Sequence, residues 1–260
     1  MSRSAVSELT SQPRVAPRLA PALGGLLRLA WAQQLTLRKG LTALAILAGL
    51  GGLTYLMATN VDVEAWDDWI ANAFLSAIVP VMAFMAGAGA VRDDLKPGAV
   101  DYMMTRPLPR WAYVIFKYIS HATVAVTAGL LALALMLVIG AAVDVAWMPV
   151  GRLVAALVGG VLAFLGLGFM CGALTSRYMI FGLLYAGLVE AAVGNIPIQL
   201  NQLSILRHLR VILHAGGDVE VGAGPLGSAG WLAVITLVLL GVAALVFATK
   251  EFIGEKGGDA

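Results

Sequence analysis

Runs of apolar residues, each close to twenty positions long and parted by short polar stretches, leave this chain little choice of environment. An α-helix rises 1.5 Å per residue, so about 20 mainly apolar residues cross the roughly 30 Å hydrocarbon core of a bilayer. Six segments qualify, at 41–59, 70–91, 118–143, 153–175, 178–198 and 229–249. Lipid offers no hydrogen bonds to the backbone, so each segment must satisfy its own amides as a helix. Composition agrees: 60% of the 260 residues are hydrophobic and 12% charged, with a mean hydropathy of +0.88, which excludes an ordinary soluble domain. The predicted fold is all-α, a polytopic membrane protein with six transmembrane helices. A net charge of +2 is too small to argue for nucleic acid, and the single Cys171 excludes a disulfide framework.

Basic residues orient the spans. With the N-terminus inside, fourteen of the 17 lysines and arginines fall on the inner side, leaving Arg152, Arg207 and Arg210 outside. The first outer loop, 60–69, carries Asp62, Glu64, Asp67 and Asp68 and no basic residue. Both termini are therefore expected in the cytosol. Residues 1–21, with Pro13, Pro17 and Pro21 among scattered arginines, read as a disordered tail and have no apolar core of the signal-peptide kind. Residues 22–250 form one transmembrane domain, and 251–260 a second cytosolic tail.

Within that domain, 22–39 mixes apolar and polar positions and ends on Arg38 and Lys39. It suits a helix lying in the inner headgroup region, or an extension of span 1 into the cytosol. Pro80 in span 2 removes a backbone hydrogen bond and marks a hinge or a packing irregularity. Ala83/Gly87, Gly168/Gly172 and Gly182/Ala186 have the spacing that lets helix backbones approach closely. The outer loop, 199–228, opens with Leu203, Leu206, Leu209 or Arg210 and Leu213 at three- and four-residue spacing. This predicts a short amphipathic helix at the outer face between spans 5 and 6, serving as a lid or as a plain surface helix.

Few residues can carry chemistry. Glu190 is the one carboxylate inside a span, where a charge costs roughly 2.5–3.5 kcal/mol on insertion scales and so faces a cavity or a partner. Either it contacts substrate or protons, or it anchors the outer helix by hydrogen bonds. Asn195 and Pro197 follow within two turns and, with Leu203 and Leu206, are candidates for an outer gate. His208 and His214 are six apart, on different helical faces, so no metal site is expected. No Gly-x-Ser-x-Gly, His-Glu-x-x-His or Gly-x-x-x-x-Gly-Lys-Ser/Thr occurs. The chain is therefore not expected to be an enzyme or to bind a cofactor, and any ATP-driven work needs a separate subunit.

The densest run of charge lies at 92–117, in the first cytosolic loop. Leu95, Val100, Met103 and Met104 could seat in a partner's cleft, with Arg92, Asp93, Asp94, Lys96 and Asp101 as the rim. A solvated loop that only sets topology is the plainer reading. This loop resembles that of the ABC-2 type transporter permeases, the membrane subunits of ABC exporters. Asp94 takes the family's acidic position after span 2, Gly98-Ala99-Val100 its Gly-Thr-Leu turn, and Met103-Met104 its apolar stretch. Pro107-Leu108-Pro109-Arg110 takes the Pro-x-x-Arg, and Lys117 the lysine entering span 3. Asp for Glu, Ala for Thr and the extra Pro109 depart from the pattern. Glu190 to Leu206 also resembles the family's fifth-span ending, a glutamate before a proline-bearing turn and a short outer helix.

The resemblance implies a homodimer or close heterodimer of permeases, set among membrane lipids in a bacterial inner membrane. It also implies two copies of an ABC ATP-binding subunit, which hold ATP and Mg, with 92–110 docked on them as a coupling element. The expected function is ATP-driven export, or extraction of a substrate from the membrane. The alternative is an ATP-independent scaffold for an envelope assembly machine or, less favoured for want of internal repeats, a secondary carrier.

Overall fold

Every described element is helical, as backbone satisfaction in lipid requires. The computed structural model describes residues 19–34, 36–60, 63–95, 109–143, 149–192, 199–213 and 224–249. In chain order, α1 is Leu19–Gln34, α2 Leu37–Asn60 and α3 Val63–Asp68. A π-helical stretch, Trp69–Ile78, leads from α3 into α4, Val79–Asp94. Then come α5, Arg110–Ala142, α6, Val150–Leu174, and α7, Tyr178–Tyr185, which continues as π-helix over Ala186–Ala192. A 3₁₀ turn, Gln199–Leu203, precedes α8, Ile205–Leu213, and the last helix is α9, Gly224–Thr249.

Among the described residues, five helices are long and apolar enough to cross a membrane: Gly40–Asn60, Trp66–Asp94, Arg110–Ala142, Val150–Leu174 and Gly224–Thr249. The segment expected as the fifth of six spans, 178–198, is here the shorter apolar helix Tyr178–Ala191, and 193–198 lie outside the described residues. Several boundaries differ from the sequence reading. Helix α1 starts at Leu19 and ends at Gln34, and Arg38 and Lys39 belong to α2. The stretch 63–69, expected as outer loop, is helical and runs into the second span, with Trp66 buried against Gly140 of α5. Residues 92–94 and 110–117, expected as loop, are helical. Most of tail 1–21, loop residues 96–108 and all of tail 251–260 lie outside the described residues.

The π-helix explains how Pro80 is tolerated. Proline cannot donate to the carbonyl four residues back. Just before it, the amide of Val79 reaches Phe74, five residues back, and the Ser76 hydroxyl donates to Ala71 O at 2.7 Å. The register thus widens ahead of the residue that cannot donate.

Helix α6 forms the centre, packed on one side by α4 and on another by α9. The α4–α6 contact is backbone on backbone: a Cβ at Gly87 would sit 2.4 Å from Leu165 O, and one at Gly168 2.3 Å from Phe84 O. A Cβ at Gly182 would meet the Phe84 ring at 2.5 Å. The small-residue pairs therefore mark real close approaches. Two apolar cores result. The larger includes Phe74, Leu133, Met136, Leu157, Phe164 and Leu209, and the smaller, below the stems of the 96–108 loop, Val91, Val114, Tyr118, Phe169 and Phe247. Leu41, Leu44 and Leu56 of α2 and Met179, Ile180 and Leu183 of α7 remain exposed.

Candidate functional site: the loop base and the capped outer helix

At one end of the bundle, α4 stops at Asp94 and α5 begins at Arg110. A carboxylate at a helix C-terminus faces the negative end of the helix dipole and needs donors from elsewhere. Tyr113 and Lys117, one turn apart on α5, supply them: the phenol and the ammonium both donate to Asp94 Oδ2. The Asp94 and Lys117 side chains are 21% and 13% exposed, so the pair is only partly open to solvent. Lys117 Nζ also lies 5.8 Å from the centre of the Tyr113 ring. That ring in turn rests against Phe247 of α9, with centroids 6.3 Å apart.

Arg92, in the last turn of α4, donates from Nε to Thr175 O at 3.0 Å, in the turn between α6 and α7. The structure thus joins α4, α5, α9 and the α6–α7 turn at the two stems of the loop. Asp93 is exposed, Leu95 packs on the smaller core, and Arg110 is exposed in the first turn of α5. Lys117, expected at the entrance of span 3, lies about two turns inside α5. Lys96, Gly98, Asp101, Met103 and Pro107 fall outside the described residues. Tyr113 was missed by the sequence reading, though its i, i+4 spacing from Lys117 was visible.

At the opposite end, Glu190 in the π-helical stretch is 9% exposed and reaches the start of α8. Its carboxylate accepts from Ser204 Oγ at 2.6 Å, Ile205 N at 2.9 Å and Leu206 N at 3.1 Å. Ser204 Oγ also accepts from Arg207 N at 3.1 Å, as an N-cap does. With Ser204 N donating to Asn201 O at 3.1 Å, all four orphan amides at the helix start are satisfied, and the acid sits at the positive end of the α8 dipole. Geometrically, Glu190 is an anchor for α8. Tyr185 adds a hydrogen bond from its hydroxyl to Leu203 O at 3.1 Å.

Helix α8 is held from its other side by His208. This residue is fully buried, its Nε2 donates to Gln202 O at 2.9 Å, and its ring stacks on Trp231 of α9 at 6.4 Å and 12°. The amphipathic helix exists; its buried residues are Ile205, His208, Leu209, Val211, Ile212 and Leu213, so Leu209 and Leu213 of the expected stripe are packed. Leu203 lies in the preceding 3₁₀ turn and is exposed, while Leu206 is half-buried. The gate candidates Asn195 and Pro197 lie outside the described residues. Among the described residues no cluster of His, Cys, Asp or Glu could hold a metal.

Burial lowers the His208 pKa below its usual 6.5, assisted by Arg207 and opposed by the Gln202 carbonyl and Glu190. The folded state therefore takes up this proton less readily than the unfolded chain. The stabilisation is complete above about 6.5 and is lost as pH falls below that value. Amide exchange over 205–213, divided by the intrinsic chemical rate at each pH, is expected to rise between pH 7.5 and 5.5 in the native protein, and the rise to be absent in His208→Gln.

The sequence profile of the family described as ABC-2 family transporter protein matches residues 22–206, from α1 through the Glu190-capped start of α8. The chain belongs to that family. Membership makes it the transport permease type and implies partnership with an ABC ATP-binding subunit. No curated protein matches the chain.

Proposed function

We propose that the chain is the membrane subunit of an ATP-driven exporter in a bacterial inner membrane. Two copies, or one with a close relative, work with two ATP-binding subunits that hold ATP and Mg. The observation that carries this reading is the convergence of Asp94, Tyr113, Lys117 and Arg92 at the stems of the 96–108 loop in a chain of this family. A loop seated on the ATPase moves with it, and its stems are tied to four elements. The close α4–α6 contact at Gly87 and Gly168 lets those two helices move as one body. The exposed apolar faces of α2 and α7 supply surface for the second copy.

Under this reading Asp93 and Arg110, exposed on the two stems, meet the partner, while Asp94 and Lys117 hold the stems together. The complex is tested in proteoliposomes by its ATPase rate relative to the isolated ATP-binding subunits. Asp94→Lys combined with Arg110→Glu is expected to bring the rate down to that of the isolated subunits. Lys117→Met removes one charge-assisted partner of Asp94, worth about 1.5–3 kcal/mol, and is expected to loosen the stems without changing exchange over 205–213. An unaltered rate in the double variant, or a stable working complex with no ATPase, favours an ATP-independent scaffold.

A further inference from the structure

A groove of about 540 Å³ runs along the side of the bundle between α6 and α9, within the roughly 300–1,000 Å³ usual for ligand sites. It follows α6 from Gly151 to Leu162 and α9 from Pro225 to Leu240. At 1.5 Å per residue these lengths are about 17 and about 22 Å, more than the roughly 15 Å that one leaflet gives to the hydrocarbon core. The groove therefore starts at the α8 end and is deep enough to take a whole lipid tail.

Its walls expose almost no polarity. The two hydroxyls along it are already committed to backbone carbonyls: Tyr118 donates to Leu162 O at 2.8 Å, and Thr236 to Leu232 O at 2.7 Å. The charged group is Arg152, exposed in the first turn of α6 at the mouth. No carboxylate among the described residues pairs with its guanidinium. The α6 dipole adds positive potential at the same place. A long apolar slot with, at its mouth, a cation that pairs with no described carboxylate is complementary to an amphiphile whose only charge is a terminal anion.

We infer that this groove is a binding site for an anionic phospholipid whose phosphate is its only charge, with one acyl chain between α6 and α9 and the phosphate on Arg152. Guanidinium and phosphate pair through two parallel hydrogen bonds, which fixes the headgroup at the mouth. The groove ends at Tyr118, in the core below the loop base, and shares no residue with the exposed faces of α2 and α7. It is independent of the transport reading and concerns a resident lipid rather than cargo.

The test uses the full chain in its complex, in phosphatidylcholine vesicles holding a few per cent of phosphatidylglycerol with a photoreactive diazirine in its tail. After irradiation, labelled residues are mapped by mass spectrometry, with the exposed 41–56 face of α2 as the reference for ordinary annular contact. Labelling of 155–162 and 229–240 is expected to exceed the reference severalfold. Arg152→Gln is expected to weaken binding about tenfold, the value of a charged hydrogen bond, and so to bring labelling of the groove down close to the reference. Ala233→Phe, which fills the slot, is expected to abolish it while leaving the α2 labelling unchanged. A diazirine fatty alcohol should label the groove no more than α2. Uniform labelling, enrichment indifferent to Arg152 or to the phosphate, or cross-links between two copies across the groove would each overturn the assignment.

Discussion

Glu190→Ala is expected to free α8. The variant strips the hydroxyl of Ser204 and the amides of Ile205 and Leu206 of their shared acceptor, and this region is buried, so water replaces the carboxylate poorly. Each lost partner costs about 1 kcal/mol or more. The locally open population of α8 should therefore rise roughly a hundredfold, about 3 kcal/mol, read as faster amide exchange over 205–213. Glu190→Gln keeps the volume and one acceptor oxygen and should lie about tenfold above native. Ser204→Ala removes the N-cap hydroxyl, about 1 kcal/mol, and should resemble the glutamine variant. The same series separates the two roles open to an acid in a span. If Glu190→Gln leaves α8 protected but abolishes transport, Glu190 handles substrate or protons and the anchoring geometry is incidental.

Hydropathy located five of the six expected spans as long apolar helices, because the bilayer imposes one length and one backbone solution on each. It could not see where helices continue past the apolar stretch. Residues 110–117 are bounded by the charges of Arg110 and Lys117 and follow two prolines, so they read as loop, yet helix α5 starts at Arg110 because Pro109 sets the entry and Tyr113 N bonds back to its carbonyl. The charge count marked Asp94 and Lys117 as members of one loop, and their order matched the family pattern. Their direct pairing depends on α4 and α5 emerging side by side, which no local pattern states. The partners of Glu190 are mostly backbone amides, and amides leave no trace in residue identity. Only Ser204, fourteen positions on, could have hinted at the cap. The π-helical stretches at Trp69–Ile78 and Ala186–Ala192 were illegible for a related reason. A shift from i−4 to i−5 bonding changes the register of a helix without changing its hydropathy.

The small-residue pairs were legible as a tendency, and the structure turns one of them into a quantitative expectation. Gly168→Ala is expected to be the most damaging single methyl in the chain. Its Cβ would lie 2.3 Å from Phe84 O and 2.9 Å from Ala88 N, both backbone atoms of α4. Backbone cannot rotate away as a side chain does, so α4 and α6 must separate along their whole contact, including Gly87 and Gly172. Overpacking costs typically 1–3 kcal/mol, and separation of the two helices puts this case at the upper end or beyond. Gly159→Ala meets the Leu232 Cδ1 methyl at 3.0 Å, a side-chain tip that can shift, and should cost under about 1 kcal/mol. Gly52→Ala and Gly187→Ala meet nothing within 4 Å. In helices, alanine there is favoured over glycine by up to about 1 kcal/mol. Thermal unfolding of the four variants in one detergent should therefore rank Gly52→Ala and Gly187→Ala at or above native, Gly159→Ala slightly below, and Gly168→Ala lowest by several degrees. Because the loop stems rest on the same two helices, Gly168→Ala should also reduce coupled ATPase activity. A Gly168→Ala protein with native midpoint and native coupling would mean that α4 and α6 do not touch through their backbones.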